Sequence, residues 1–440
     1  MVNPSREPDI LASSPFSEPA IDPELASAPV LPRGEKRGAN QIFRALRHRE
    51  FRLFTAGQII SLIGTWMQTV AISWLVYRMR HSELLLGTAW FCTQIPVFAL
   101  SALGGVASDR FSRHRIVVTT QVLSMLQAFL LAGLTFAGTI QIWQILTLAV
   151  VLGAINAFDI PARQSLIVEL TSKDDLLSAI SLNSTIFNAA RIIGPGAAGL
   201  IVAGFGEGVC FLINGVSFLA VIGCLLAMRL PPRRKQTHEP PWIHLKKGFD
   251  FAYRHRSFRM LLLMLGMMTV AGTPALVLMP FFAGDIFHRG SQGLGFLMCA
   301  MGAGAVIGTL FLARRSQIEG LNRVIVFSAV SLGATYLLFA WSTSFWLSLA
   351  IMPFIGFNVM RQMASANTLI QRAIPDHFRG RIMALYAMMV VGLGPFGSLA
   401  AGALARSFGA RITVGLGGIL AFLAALTFGV RLLEVNWQNE

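Results

Sequence analysis

The sequence predicts an all-α polytopic membrane protein, with twelve transmembrane helices in two six-helix bundles related by pseudo-two-fold symmetry. Three observations carry that expectation. Of 440 residues, 54% are hydrophobic and only 13% charged, about half the charge that a water-facing surface needs. The apolar runs are long and continuous rather than alternating, which suits spans of ~20 residues and excludes a strand-built barrel. The halves also repeat: His48-Arg49-Glu50-Phe51-Arg52 before the first run matches His255-Arg256-Ser257-Phe258-Arg259 before the seventh. Gly194-Pro195 in the fifth run likewise has Gly394-Pro395 in the eleventh. Two matches at nearly one offset, with six runs in each half, indicate a parallel duplication about an axis normal to the membrane.

In chain order, residues 1–42 are rich in Pro, Ser, Ala and Glu and have no insertable apolar core. They read as a disordered cytoplasmic tail rather than a signal peptide. A basic lead-in with Arg44, Arg47, Arg49 and Arg52 follows, as expected beside the cytoplasmic face. The first bundle, 43–229, has expected spans at 53–77, 84–106, 116–137, 142–160, 179–203 and 209–228. Residues 230–257 are polar and basic and read as a cytoplasmic linker between bundles. The second bundle, 258–433, has spans at 260–284, 293–313, 324–341, 345–365, 382–405 and 412–432, and 434–440 form a short cytoplasmic tail.

Charge tests the orientation. The chain carries 36 Lys and Arg against 21 Asp and Glu, a net +15. Only Arg78, Arg80, Arg289, Arg406 and Arg411 fall on the side opposite the termini, while Arg191 and Arg361 fall inside spans. The remainder marks the terminal side as cytoplasmic. The basic residues are spread over every cytoplasmic loop with little aromatic interleaving, so nucleic acid is not an expected partner.

After the second span comes Gly104-Gly105-Val106-Ala107-Ser108-Asp109-Arg110-Phe111-Ser112-Arg113-His114-Arg115. Gly105 would permit close helix approach, and the arginines Arg110, Arg113 and Arg115 could pair with carboxylates such as Asp109 while a cytoplasmic gate is closed. The segment resembles the G-x-x-x-D-[RK]-x-G-R-[RK] loop signature of the major facilitator superfamily, with Ser112 where a second glycine is usual. The segment Asn156-Ala157-Phe158-Asp159-Ile160-Pro161-Ala162-Arg163-Gln164-Ser165 and the run Asn188-Ala189-Ala190-Arg191-Ile192-Ile193-Gly194-Pro195 are similar to the branch of that superfamily containing the bacterial enterobactin exporter, a transmembrane secretion effector-like group. The resemblance implies twelve helices, alternating access and proton-motive-force-driven efflux of siderophores or drugs. Gly194, Pro195, Gly394 and Pro395 also resemble the glycine-proline motif of the family's antiporters, expected to set tight packing and a bend.

Asp159 lies one helical turn from Arg163, near the cytoplasmic end of span four. A buried carboxylate is expensive unless paired. Two readings stand side by side: a gate in which Asp159 and Asp109 engage Arg110, Arg113 or Arg163 in one state, and a permanent structural pair.

An intramembrane arginine tolerates lipid poorly, so Arg191 and Arg361 should face the interior. With Asn188, Asn358 and Gln362 beside them, and a polar stripe of Gln58, Ser61, Thr65 and Gln68 in span one, they outline a candidate substrate cavity. Two arginines without a midplane carboxylate favour an anionic or neutral amphiphile over a lipophilic cation. Asp159, Asp109 and His114 are the candidates for carrying a coupling proton.

The four cysteines lie in apolar runs without metal-ligand spacing, and no phosphate-binding loop or nucleophile-base constellation occurs, so no enzyme activity, metal or cofactor is expected. The expected protein is a monomeric secondary transporter in a bacterial inner membrane, with a small-molecule substrate and protons as coupling ion. Alternatives are a metabolite or lysolipid transporter on the same fold, or a non-transporting membrane receptor.

Overall fold

His48 and His255, equivalent in the repeat, both adopt extended backbone and both stand immediately before the first residue of a long helix. The residues three positions on, Phe51 and Phe258, are fully buried, so the same basic start is folded the same way twice. At the other end of those helices His81 and His288, again 207 residues apart, both take positive φ (44° and 51°). A non-glycine residue in this region is uncommon, and its recurrence at the repeat spacing supports a duplicated turn.

The computed structural model describes residues 43–172, 174–229, 255–313, 320–374 and 376–433. The expected tails 1–42 and 434–440 and most of the expected linker lie outside them. A short helical turn Arg44–Arg47 leads into α1 (Arg49–Arg80), α2 (Glu83–Arg110), α3 (Arg113–Phe136), α4 (Ile142–Glu169), α5 (Leu176–Phe205) and α6 (Glu207–Leu226). In the second half α7 covers Arg256–Ile286, ending in a π-turn at Phe282–Ile286. Then come α8 (Gly290–Ala313), α9 (Leu321–Trp341) and α10 (Phe345–Ala373). In α11, Asp376–Ala387 passes through a π-turn at Met388–Gly392 into Gly394–Phe408. The last helix, α12, spans Ala410–Leu433.

Eleven of these helices are long and apolar enough to cross a membrane. α10 is not among them, because it carries Asn358, Arg361, Gln362, Gln371 and Arg372. Its 29 residues still reach about 43 Å at 1.5 Å per residue. The helices also outrun the apolar segments: α4 continues to Glu169 and α10 to Ala373. Backbone hydrogen bonding does not stop where hydropathy does, so polar turns such as Asp159–Arg163 are helical.

The bundles meet along α2 with α11 and α5 with α8. A Cβ on Gly87 of α2 would lie 2.4 Å from the Ser398 carbonyl oxygen and 3.0 Å from Gly402 Cα. A Cβ on Gly295 of α8 would lie 2.6 Å from the Pro195 carbonyl oxygen and 2.8 Å from Gly199 Cα. Only glycine allows backbones this close. Both contacts sit toward the end of the molecule opposite the start of α1, here the far end. Trp143, Trp341 and Trp346 lie exposed at that same end (61%, 61% and 67%), as a membrane-interface belt requires.

Candidate substrate cavity and gates

Tyr77, in the last turn of α1, donates its hydroxyl to Asp285 Oδ1 at 2.7 Å. His81 Nδ1 lies 3.9 Å from the same oxygen. The Tyr77 ring packs edge-on against Phe281 at 5.0 Å and against His81 at 4.7 Å. Ser291 of α8 donates to the Gly199 carbonyl at 3.2 Å, and Phe396 of α11 meets both Phe91 and Phe98 of α2. Together with the two glycine contacts, these close the far end.

A cavity of about 220 Å³ lies beneath that closure. Its walls come from α5, α7, α8, α9, α10 and the π-turn of α11. Arg191 is the first bundle's contribution; the second supplies Thr269, Thr273, Tyr336 and Gln362 and the apolar Met268, Met301 and Met363. The Arg191 guanidinium sits 5.9 Å from the Trp66 ring centroid, and a Cβ on Gly194 would press on Trp66 at 2.5 Å. The glycine therefore seats α5 against α1 and holds Arg191 over the indole. Gln362 is 3% exposed and its amide nitrogen has no hydrogen-bond partner.

Several expected cavity residues point elsewhere. Arg361 is 8% exposed and turned toward α9. It donates to Ser328 Oγ at 2.8 Å and Asn358 Oδ1 at 2.9 Å, and stacks on Phe327 and Phe357. Asn358 in turn donates to Ser331. The cluster satisfies a buried cation without a carboxylate and ties α10 to α9. Gln68 is equally committed: it donates to Gln127 of α3 at 3.0 Å and accepts from Asn214 of α6 at 2.8 Å. Gln58 accepts from Arg163 at 3.3 Å, and Thr65 returns its hydroxyl to the Ser61 carbonyl. The polar stripe of α1 thus faces its own bundle, where hydrogen bonds between helices replace those that lipid cannot give. Asn188 is half-buried and bonded to the Ser184 carbonyl.

At the near end the motif residues engage one another within the first bundle. Asp159, 2% exposed, accepts from Thr120 at 2.7 Å, from Gln121 at 3.0 Å and from Arg163 one turn on. Arg113 pairs with Glu169 at 2.8 Å, reaches the Ser165 carbonyl and lies 3.9 Å from Asp109. Arg110 and Arg115 are exposed, and His114 bonds the Leu225 carbonyl. Gly105 does not mediate close packing, since nothing lies within 4 Å of its Cβ direction; neighbouring Gly104 does, against the Ala157 carbonyl. One residue of register, about 100° around a helix, decides which glycine faces α4. Gly394 is likewise open, and Pro395 lies in the first turn of the helical segment that follows the π-turn.

Sequence reasoning missed the Tyr77–Asp285 contact and the α7 wall. The wall had a signal: Leu265, Thr269, Thr273 and Leu276 share one helical face.

The profile of the family described as transmembrane secretion effector matches residues 41–439. The chain is 26% identical to the staphyloferrin A transporter of Staphylococcus aureus, over 86% of this chain and 95% of that protein. It is 25% identical to the multidrug efflux pump Tap of Mycolicibacterium fortuitum, over 82% and 90%. The nucleoside transporter NupG superposes with TM-score 0.69 at 14% identity, covering 88% of this chain and 99% of that one. A bacterial homologue of the iron transporter ferroportin in its inward-facing state gives 0.67 at 17%, covering 87% and 98%. At these identities the structures establish the fold and the profile establishes the family: the chain belongs to the transmembrane secretion effector family of major facilitator superfamily transporters.

Proposed function

We propose that this protein exports an anionic or neutral amphiphile, a siderophore or a drug-like molecule, by alternating access driven by the proton motive force. The observation that carries the reading is the Arg191 cavity: a lone cation over Trp66 among methionines, no carboxylate among the described lining residues, beneath a far end closed by Tyr77–Asp285. The names of the relatives, a siderophore transporter and a multidrug efflux pump, support the same substrate range and direction.

In this reading the protein is a monomer in a bacterial inner membrane with both termini cytoplasmic, supported by the concentration of arginines at the near end among the described residues. The far end is then periplasmic, and the state described is inward-facing. Arg191 receives substrate from the cytoplasmic side. Asp109, Arg110, Arg113, Arg115, Asp159 and Arg163 form the cytoplasmic gate, which rearranges when the bundles rock. Asp159, Asp109 and His114 are the candidates for carrying the proton, and Asp159, 2% exposed, is the buried one of the three.

Energised inverted vesicles test the reading. Accumulation of a siderophore or dye that a protonophore abolishes is the expected result; binding without movement would replace the exporter with a receptor.

A further inference from the structure

The cavity sorts its polar groups by hydrogen-bonding sense. Thr269 gives its hydroxyl proton to the Leu265 carbonyl at 3.1 Å and Thr273 to the Thr269 carbonyl at 2.7 Å. Both hydroxyls therefore have only lone pairs left to offer, and the α7 wall accepts. Arg191 from α5 lines the same space as a donor, and Gln362 from α10 lines it beside Arg191, its buried amide nitrogen lacking a partner in the fold. A buried amide left without a partner is destabilising unless a ligand supplies one. The Tyr336 hydroxyl, able to give or take, is kept in the space by Gly272, where a Cβ would come within 2.7 Å of it.

Charge counts as much as sense. Arg361, the other intramembrane arginine expected here, is consumed by Ser328, Asn358 and two aromatic rings. Among the described lining residues a single cation remains, and it can neutralise a single negative charge. A second carboxylate would be desolvated against Met268, Met301 or Met363 without compensation. The methionines are unbranched and adaptable, and suit a flat or irregular apolar body.

We infer that the cavity selects a hydroxylated monoanionic amphiphile: one carboxylate on Arg191 and the Gln362 amide, one hydroxyl donor on Thr269 or Thr273, and an apolar body among the methionines. The inference rests on the reading of this cavity as the transport site and narrows its substrate class, excluding polycarboxylates and cations.

The test is equilibrium binding to the full chain in lipid nanodiscs, with five probes of one skeleton: a hydroxynaphthoate, its methyl ester, the parent naphthoate, a naphthalene dicarboxylate and a naphthyl trimethylammonium. The hydroxynaphthoate should bind about tenfold tighter than its ester and severalfold tighter than the parent acid, with the dianion and the cation weakest. Arg191→Gln should collapse the acid-over-ester ratio toward one. Thr269→Val with Thr273→Val, nearly isosteric, should instead remove the advantage of the hydroxyl. Melting curves certify each variant as folded, and Gln362→Glu, which should reverse the acid-over-ester preference, is a second route if Arg191→Gln fails to fold. Tightest binding by the dianion or cation, an acid preference that survives Arg191→Gln, or no binding of any probe overturns the inference. Selective binding without protonophore-sensitive movement in vesicles removes the exporter and keeps the ligand class; movement of the dianion does the reverse.

Discussion

Tyr77 and Asp285 join the last turn of α1 to the π-turn that ends α7, hydroxyl to carboxylate at 2.7 Å across the two bundles. A Cβ on Gly284 would lie 2.0 Å from the Tyr77 hydroxyl, so the glycine beside Asp285 makes room for the ring that Asp285 bonds. The contact is a latch at the far end.

Tyr77→Phe keeps the ring packing and removes the bond. Asp285 is 47% exposed at its side chain, so water replaces part of what is lost, and the closed far end should weaken by about 1 kcal/mol, roughly fivefold in population. Distances between spin labels on the far-end turns should broaden toward longer values. An unchanged distribution would mean that the glycine, Ser291 and Phe396 contacts hold the closure without this bond.

Asp159→Asn leaves Arg163, 23% exposed at its side chain, without its carboxylate. Breaking one side of a largely buried pair should cost about 2–4 kcal/mol and lower the melting temperature. Removing both charges, with Arg163→Gln added, should recover most of the stability. If transport also returns in the double variant, Asp159 is neither gate nor proton carrier and the pair is structural.

Gly199→Ala and Gly87→Ala place a methyl within 2.8 Å of the Ser291 carbonyl and 2.4 Å of the Ser398 carbonyl. Backbone cannot yield as a side-chain tip does, so each should cost the far-end closure about 1–3 kcal/mol. The bundles should still fold, because the obstruction lies between them. Cysteine cross-linking across the far end should slow, and cross-linking at wild-type rate would refute the claim that these glycines set the approach.

At the near end the lead-in turn is strapped to the start of α5. His48 donates to Asp175 at 3.0 Å, Arg44 lies at 3.3 Å, and the Ala45 amide bonds Ser178. The His48 hydrogen bond, followed by the charge of Arg44, holds the Asp175 carboxyl below the usual carboxylate range despite some desolvation. A depressed pKa stabilises above the unfolded value near ~3.9 and is lost as pH falls through the lowered value. Hydrogen exchange of residues 43–48 should therefore stay slow from neutral pH down to about 4 and rise below it. Release that begins well above that range, or none on acidification to about pH 2, would refute the role of the Asp175 carboxylate.

Asp159 with Arg163 was legible as a helical pair because four residues make one turn whatever surrounds the helix. Arg191 was legible as interior because lipid cannot host a bare cation. The same logic placed Arg361 inside but could not say what it faced, and it faces Ser328 rather than the cavity. Gly104 and Gly105 make the point at its smallest scale: adjacent, chemically identical, one pressed on α4 and the other open.

By itself the sequence determined the membrane-spanning helices, their duplication and the charge asymmetry of their ends, since hydropathy, repeat spacing and Lys and Arg counts are properties of the linear chain. Tertiary structure alone decided that Gln58, Gln68, Asn358 and Arg361 bind neighbouring helices while Arg191, Thr269, Thr273, Tyr336 and Gln362 share a cavity. Inside a membrane every polar side chain seeks a partner, and whether that partner is a neighbouring helix or a substrate depends on the rotation of one helix against the next, which no single helix encodes.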